Sequence, residues 1–467
     1  MQDHTRNSVS INPRIDDIAI TQDTLTGRGG LSLFVRYFRG IGIEPHLERL
    51  FGSLRKSRKG VAVCEIFKQL ICFFFDGTSR HVTHFDRLKK DVGYAAAIET
   101  APDSMVSSHA LKRFLRSFWW PRIFLFRRLL QKLFVWRLQI EKPKIIILGL
   151  DLMILDNDDA LCRHGVEATY KKVKGLGALQ LSWGRLLIDS VLRSGSKHSN
   201  HQDTAEQMIR HVVAQIRKHY REDVPILIRF DSGFFDQKLY GFLEDLQVAY
   251  IGAGKLYDDI KTYVASFEAL VWCRYQGNRQ TWDFVELGDR RNAWDRFRKA
   301  LYIRPCYEDR QQLLSFARPE MILYTNLGMG QDIDELIKQA GHANLLTSQR
   351  IIETYHGRGA DELVFRALKD FASETLPFKR FNQNAAWYYS MLLAFFIFES
   401  FKVDVGHPVV PVTAYPTTVR RTLIDFAAKI VSHAGKITLK VTQATWEALR
   451  FRELWKRSGD PPVFVWI

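Results

Sequence analysis

Residues 145–151 read Ile-Ile-Ile-Leu-Gly-Leu-Asp, a continuous apolar run that stops at an aspartate. Such a run is typical of a strand that is buried on both faces of a sheet. Residues 225–230 form a second, largely apolar run, which stops at Asp231. In α/β proteins the functional groups collect at the carboxyl ends of the strands. The two runs therefore predict an α/β fold with Asp151 and Asp231 as candidate site residues.

The pattern around these runs predicts the order strand, strand, strand, helix, strand, helix, strand. Two further strands, at 179–182 and 186–192, are joined by a hairpin turn at residues 183–185. The last strand is predicted at 248–251, and the helices at 204–219 and 238–246. Residues 1–140 show mainly helical periodicity, with Ser107-Ser108 as a helix N-cap. Residues 255–343 contain short strand-like runs before helical periodicity returns.

The charge balance is strongly basic, because 67 Lys and Arg oppose 51 Asp and Glu to give a net charge of +16. This balance indicates a polyanionic partner, with nucleic acid ahead of an anionic membrane. Residues 104–140 hold eight Lys or Arg and no acidic residue, with tryptophans interleaved. Arg113 and Arg116 are therefore candidate DNA contacts. Arg127, Arg128 and Lys132 are either further contacts or cover a core helix.

The five cysteines include no Cys-x-x-Cys pair, so neither a disulfide framework nor a four-cysteine zinc site is expected. The polar N-terminus lacks the apolar segment of a signal peptide. The longest apolar stretch, residues 385–398, is shorter than the ~20 residues that a membrane-spanning helix needs. We expect a buried helix there, a cytoplasmic location and no membrane partner.

A four-residue pattern lies in residues 355–369, where Tyr355, Arg358, Glu362 and Lys369 are spaced by three, four and seven positions. These offsets fall on one side of a helix. A carboxylate between basic groups and a phenol suits a metal ligand beside phosphate-binding groups. Asp361 and Glu353 compete with Glu362 for the carboxylate role. Gly357 and Gly359 interrupt the pattern, so Tyr355 and Glu362 need not share an unbroken helix.

This spacing resembles the Tyr-Arg-Glu-Lys signature of bacterial insertion-sequence transposases with a DDE triad. The resemblance extends to one branch, the transposase DDE domain group 1, over roughly residues 16–441. The segments that carry it are residues 146–160, 165–175, 226–236 and 417–441. The resemblance implies a ribonuclease H-like core with a β-rich insertion, plus helical N-terminal and C-terminal regions. It also implies metal-dependent cleavage of DNA at transposon ends, followed by strand transfer into target DNA.

The resemblance implies a catalytic and metal-binding triad of Asp151, Asp231 and Glu362. Two Mg²⁺ ions held by carboxylates can activate the attacking oxygen and stabilise the leaving oxygen, and Mn²⁺ could substitute. Alternatives remain at the first two positions, namely Asp156, Asp158 and Asp159 for Asp151, and Asp236 for Asp231. Met153 stands where some relatives carry a second aspartate. The implied DNA-binding residues are Tyr355, Arg358, Lys369, Lys171, Lys172, Arg113 and Arg116.

The predicted organisation has five parts. These are a helical DNA-binding region (1–140), the first part of the catalytic core (141–254), a β-rich insertion (255–343), the second part with the glutamate helix (344–405) and a basic C-terminal region (406–467). The insertion tryptophans Trp272, Trp282 and Trp294 either assist DNA distortion or fill a β core. The expected partner is double-stranded DNA, bound by a possible homodimer at the bacterial nucleoid. A nuclease of the same fold and a catalytically inactive DNA-binding protein are the alternatives.

Overall fold

The computed structural model describes residues 15, 17–55, 59–160, 162–199, 201–277, 281–306 and 320–466.

The N-terminal region is helical. After the short strand β1 (Thr24–Thr26) come α1 (Leu31–Gly40), α2 (Glu44–Phe51), α3 (Val63–Asp76), α4 (Phe85–Leu88), α5 (Val92–Ala97), α6 (Ser108–Arg116) and α7 (Trp120–Glu141). The Ser107 hydroxyl accepts the Ala110 amide hydrogen and caps α6, which confirms the predicted N-cap.

The middle of the chain forms a mixed sheet. Within the described residues it has ten strands, namely β2 (Ile146–Asp156), β3 (Glu167–Ala168), β4 (Lys174–Trp183), β5 (Leu186–Ser194), β6 (Ile226–Phe230), β7 (Ala249–Ala253), β8 (Cys273–Gln276), β9 (Thr281–Asp289), β10 (Arg298–Cys306) and β11 (Met321–Thr325). Helices α8 (Thr204–His219), α9 (Gln237–Asp245) and α10 (Asp258–Ala265) connect them. The order β5-β4-β2-β6-β7 has β2, β6 and β7 parallel and β4 antiparallel to both neighbours. The predicted α/β class is confirmed, and this strand order is consistent with the predicted ribonuclease H-like core.

The four strands of the predicted insertion continue this sheet. β11 pairs antiparallel with β7, and β10, β9 and β8 follow outward in turn. Trp294 is buried in an aromatic cluster with Phe235 and Tyr324, so it fills a core. Trp272 is half-buried beneath the Arg304 guanidinium, 3.5 Å from its ring centre. Trp282 is half-buried and lies against the ring of His356.

Helices dominate again after β11. They are α11 (Asp332–Gln339), α12 (Ser348–His356), α13 (Gly359–Phe371), α14 (Phe381–Phe401) and α15 (Pro416–Val419), and they are followed by β12 (Ala428–His433), β13 (Lys436–Lys440), α16 (Gln443–Ala448) and α17 (Phe451–Gly459). α14 is almost wholly buried between the N-terminal helices and the sheet, as its apolar sequence predicts. Among the described residues, no helix has both the length and the hydrophobicity to cross a membrane.

The two ends of the chain are joined through a small sheet in the described part of the structure, in which β12 lies between β1 and β13. The amides of Gly29 and Gly30 donate to carbonyls at residues 426 and 424. Arg28 forms ion pairs with Asp76 and Asp425. Nearby, α1 packs against α17 and α3 packs against α14. The N-terminal and C-terminal regions therefore share one core.

A buried arginine connects the C-terminal region to two other helices. The Arg420 guanidinium donates to the carbonyls of Phe74 and Phe75, at the end of α3. It also donates to the carbonyls of Asp370 and Phe371, at the end of α13. These carbonyls are among those that a helix leaves without internal partners at its C-terminus. Arg420 thereby fixes α13 relative to the N-terminal helices.

Candidate active site

Two aspartates lie side by side because of the strand register. β2 and β6 are parallel, and their last paired residues are Leu150 and Phe230. Asp151 and Asp231 come next on each strand. The expectation that β2 ends at Asp151 is wrong, since the strand continues to Asp156 along its antiparallel partner β4. Asp151 is half-buried, at the point where its other neighbour, β6, ends at Phe230.

Arg358 links the two aspartates. Its Nη2 lies 2.8 Å from Oδ2 of Asp151 and 3.9 Å from Oδ2 of Asp231. The two oxygens therefore cannot be farther apart than the sum of these distances. Burial disfavours the charge of Arg358, but the neighbouring carboxylates, Asp151 above all, hold its pKa above the ordinary value. A cation is thus placed directly at the acidic pair.

A helix break positions Arg358. α12 ends at His356 and α13 begins at Gly359, so Arg358 lies in the connection. The prediction that all four signature residues lie along one helix face is therefore wrong, for the reason that the glycines suggested. Tyr355, in the last turn of α12, is half-buried beside Arg358. Burial raises the pKa of Tyr355, and Asp231 and Asp151 add to the shift.

Glu362 lies in the first turn of α13 with its side chain exposed. Burial is the main cause of a raised pKa at Asp151, and the charges of Asp231 and Glu362 raise it further, against the opposing effect of Arg358. Glu362 is therefore close enough to act electrostatically on Asp151. Among the described residues no hydrogen bond or ion pair joins Glu362 to either aspartate. Its role as third ligand stays a prediction.

Asp361, the rival of Glu362, has a different position. Its buried carboxylate binds the Arg229 guanidinium on β6 through two contacts, of 3.1 and 3.0 Å. Arg229 also donates to the Thr354 carbonyl in α12. A Cβ on Gly149 of β2 would lie 2.5 Å from Asp361 Oδ2, so the glycine makes room for this pair. Asp361 and Arg229 attach both helices of the site to the sheet.

The other acidic residues considered for the site have structural roles in turns, in a helix cap and on a helix surface. Asp156 accepts the Asp158 amide hydrogen, and Asp158 accepts that of Lys174. Asp236 caps α9 by accepting the Lys238 amide hydrogen. Glu353 forms an ion pair with Arg350 in α12. Asp151 and Asp231, by contrast, both face Arg358.

The predicted phosphate ligands are scattered. Lys369, at the far end of α13, pairs with Glu374 at 2.5 Å. Lys171 and Lys172 are exposed in the turn before β4, and Arg113 and Arg116 are exposed in the last turn of α6.

The sequence left two roles open for Arg127, a DNA contact or a residue that covers a core helix. The structure supports the second role. Its guanidinium makes two hydrogen bonds to the buried carboxylate of Asp189, at 2.7 and 2.8 Å. A DNA contact at Arg127 is therefore not supported, because its donors already serve the core.

Tyr170 is a site residue that the sequence reasoning missed. Its ring is 64% exposed, and its hydroxyl donates to the Leu152 carbonyl at 3.4 Å, one residue from Asp151. Burial of the hydroxyl and the charges of Asp151 and Asp231 raise the pKa of Tyr170 to about 12. The sequence feature that could have identified Tyr170 is its position directly before Lys171 and Lys172, which are predicted DNA contacts.

The donor set fits a hard divalent cation. Asp151 and Asp231 offer carboxylate oxygens around one point, and Mg²⁺ commonly takes one or two protein carboxylates and fills the remaining positions with water and phosphate. Within the described ranges no three His, Cys, Asp or Glu side chains already converge as a metal site. The geometry therefore supports an acidic pair, and not a preformed triad.

Known proteins show both a family match and a structural similarity to this chain. The sequence model of the transposase DDE domain group 1 matches residues 17–458. Among solved structures, a cryo-EM structure of the piggyBac transposase synaptic complex with hairpin DNA is similar at 12% identity and a TM-score of 0.41, over 86% of this chain and 82% of that chain. Comparison with curated proteins gives no match. Because the family match spans nearly the whole sequence, the chain belongs to the transposase DDE domain group 1 family.

Proposed function

We propose that this transposase cleaves DNA strands at the ends of a mobile element and transfers the freed ends into target DNA. The observation that supports the proposal most strongly is the convergence of Asp151 and Asp231 on Arg358, at 2.8 and 3.9 Å. Carboxylates that can hold a divalent cation lie there beside a guanidinium that can bind phosphate. Divalent ions held by carboxylates can stabilise the attacking and leaving oxygens of a phosphodiester, and a guanidinium can bind its remaining oxygens.

Asp151 and Asp231 would hold Mg²⁺, with Mn²⁺ as a substitute, and Glu362 would join them as the third carboxylate. Bound divalent ions would supply activation of the attacking oxygen and stabilisation of the leaving oxygen. Glu362 is included because its charge reaches Asp151 and its side chain is exposed. A ligand on α13 also agrees with the attachment of that helix to the sheet through Asp361 and Arg229.

The neighbouring residues would bind and orient the scissile phosphate. Arg358 presents a planar guanidinium, which suits two phosphate oxygens at once. Tyr355 would hold Arg358 in place or donate to a third oxygen. Burial and the nearby carboxylates raise the pKa of Tyr355 and keep its phenol protonated, so that it can donate. The transfer step would use the same groups, with the freed 3′-hydroxyl replacing water as the attacking group.

Double-stranded DNA is the proposed substrate, in accord with the net charge of +16. Lys171 and Lys172 would contact its backbone beside the acidic pair, with Lys369 farther along α13. A homodimer in the DNA complex would let one assembly hold both ends of the element. The proposed location is the bacterial cytoplasm, at the nucleoid.

The test is incubation of the protein with the DNA that flanks its gene, with and without Mg²⁺, followed by sizing of the products on a denaturing gel. Cleaved and joined products support the proposal. Cleavage alone indicates a nuclease, and a mobility shift alone indicates a binding protein, and either result would replace the proposal. Asp231→Asn should abolish cleavage and keep DNA binding. Asp236→Asn is the matched control, because Asn caps a helix about as well as Asp.

A further inference from the structure

The connection between α6 and α7 carries an unusual surface. Trp119, Trp120 and Phe124 are 58%, 49% and 45% exposed, and the last two rings touch edge to face with centroids 5.3 Å apart. Arg113 and Arg116 are exposed in the preceding turn. We call these five residues the aromatic–basic patch. Adjacent exposed aromatic rings cost solvation energy and commonly mark an interaction site.

A basic cleft adjoins the patch. It has a volume of about 520 Å³, and among the described residues its charged lining consists of Arg55, Lys89, Arg113 and one acid, Asp103. Ser117, at its edge, is two residues from Trp119. Within the described residues, Lys89, Arg113 and Arg116 form no ion pair, so their charges are available to a partner. The partner's groups in this cleft should therefore be anionic.

The patch and cleft are connected to the candidate active site. The Gln383 side chain, in the first turn of α14, donates to the carbonyl of Lys112 in α6 at 3.1 Å. Two residues earlier, the ring of Phe381 lies against Gly165. Gly165 begins the segment that leads to Tyr170 and Lys171 beside the acidic pair. A series of contacts thus connects the segment beside the acidic pair to α6, which carries Arg113 and Arg116 of the aromatic–basic patch.

We propose that the aromatic–basic patch and the basic cleft bind a nucleic-acid strand whose bases are unpaired. Cations along a cleft follow a phosphate backbone, and exposed aromatic rings stack on bases only where the bases are free of a duplex. A protein partner is less suitable, since it would have to bring acidic groups to Lys89, Arg113 and Arg116, whereas every nucleotide of a strand supplies a phosphate for such cations. The inference rests on the proposed function, because strand cleavage creates an end that can separate from its complementary strand and present unpaired bases.

The test is a fluorescence-anisotropy titration of the full-length protein in EDTA, with a labelled single strand and with the same sequence as a duplex. Trp119→Ala/Trp120→Ala should weaken single-strand binding at least about fivefold, the lower limit for removal of one stacked ring. Duplex binding should change by less than about twofold. Trp446→Ala is the control, because Trp446 is a similarly exposed tryptophan, 46%, in α16. The thermal midpoints should be unchanged, since the replaced rings are exposed.

A charge variant supplies the second measurement. Arg113→Ala/Arg116→Ala should weaken binding of both DNA forms and reduce the salt dependence of single-strand binding, by about 0.7 in slope for each phosphate that is no longer neutralised. Arg221→Ala, at an exposed site paired with Asp223, should leave the slope unchanged.

Three results in the tryptophan variant would overturn the inference: unchanged single-strand affinity, equally weakened binding of the single strand and the duplex, or a change in oligomeric state in light scattering that accounts for the weaker binding. Failure of the proposed function would look different. The wild-type protein would then leave the flanking DNA uncut in Mg²⁺, whatever the tryptophan variant did to single-strand binding.

Discussion

In the free protein the Arg358 guanidinium balances the charges of two carboxylates, and in the complex with DNA it would bind a phosphate. Replacing it with Ala should lower the cleavage rate by roughly tenfold to a hundredfold, because a charge-assisted contact is worth ~1.5–3 kcal/mol. Arg358→Lys should recover only part of the rate, since an ammonium lacks the planar pair of donors. Single-turnover cleavage rates, measured beside thermal midpoints, check this.

Lys369→Ala provides the comparison for Arg358. Lys369 pairs with Glu374 at 2.5 Å and lies at the opposite end of α13 from Arg358. Its replacement should therefore lower the cleavage rate less than that of Arg358. Near-normal cleavage in Arg358→Ala would show that the guanidinium only balances the charges of Asp151 and Asp231.

Gly149 controls how closely α13 approaches the sheet. A Cβ there would lie 2.5 Å from Asp361 Oδ2 and 2.7 Å from Ser182 Oγ. Gly149→Ala should displace the ion pair between Asp361 and Arg229 and lower the free energy of unfolding by roughly 1–3 kcal/mol, as overpacked cores do. Cleavage should also fall, because Glu362 moves with the helix. Denaturant unfolding and gel assays measure the two effects.

Gly359→Ala is the matched control for Gly149→Ala. It lies at the start of the same helix, and an added Cβ would meet no atom within 4 Å. Its stability should be unchanged or slightly higher, since Ala favours a helix over Gly. Equal effects of the two substitutions would contradict the packing role of Gly149.

At the scale of single residues, the sequence identifies those site residues that a local pattern marks. Asp151 and Asp231 could be found because each follows an apolar run. The sequence left Asp361 and Glu362 as competitors, and the contact that separates them, between Asp361 and Arg229, joins residues 132 positions apart. Tyr170 reaches the site from the turn between β3 and β4, two strands that pair with each other. No local spacing encodes either arrangement.

Among the elements, α3 and α13 depend on a common cap. Arg420→Met should lower the free energy of unfolding by roughly 3 kcal/mol or more, because it leaves four buried carbonyls without their donor. Arg421→Ala, at the exposed neighbouring position, should change it by less than about 0.5 kcal/mol. Denaturant unfolding measures the free energy of unfolding of both variants. Similar values for the two would exclude a capping role for Arg420.

Element prediction succeeded where a pattern is local. The hairpin of β4 and β5 and the helix α8 both follow from periodicity and turn residues. The length of β2 could not be read in this way. The strand continues beyond Asp151 because β4 still pairs with it, while β6 has already ended. Strand ends depend on neighbours, which a single sequence does not identify.

Across the whole molecule, the N-terminal helices depend on partners from the far end of the chain. A fragment of residues 17–141 should not fold alone, since α1, α3 and β1 would lose α17, α14 and β12. Circular dichroism should show no cooperative thermal transition for the fragment, in contrast to the full chain. A cooperative transition in the fragment would instead establish an independent N-terminal domain.

The five-part organisation predicted from sequence remains a prediction at this scale. Composition separates the segments along the chain, but it says nothing about which of them pack together. The pairing of β1 with β12 illustrates the difficulty, because β1 has only three residues and no strong pattern of its own. Long-range pairing of this kind emerges only from the assembled core.

The junction between the chain ends also has a consequence for synthesis in the cell. Arg28 and its partner Asp425 are 397 residues apart, so β1 must wait for the intervening segment to be translated before it can pair with β12. At ~5–20 residues per second this delay is roughly 20–80 seconds. A ribosome that stops early would release a chain whose first strand has no partner. Such incomplete products should be cleared by proteases, which favours full-length transposase.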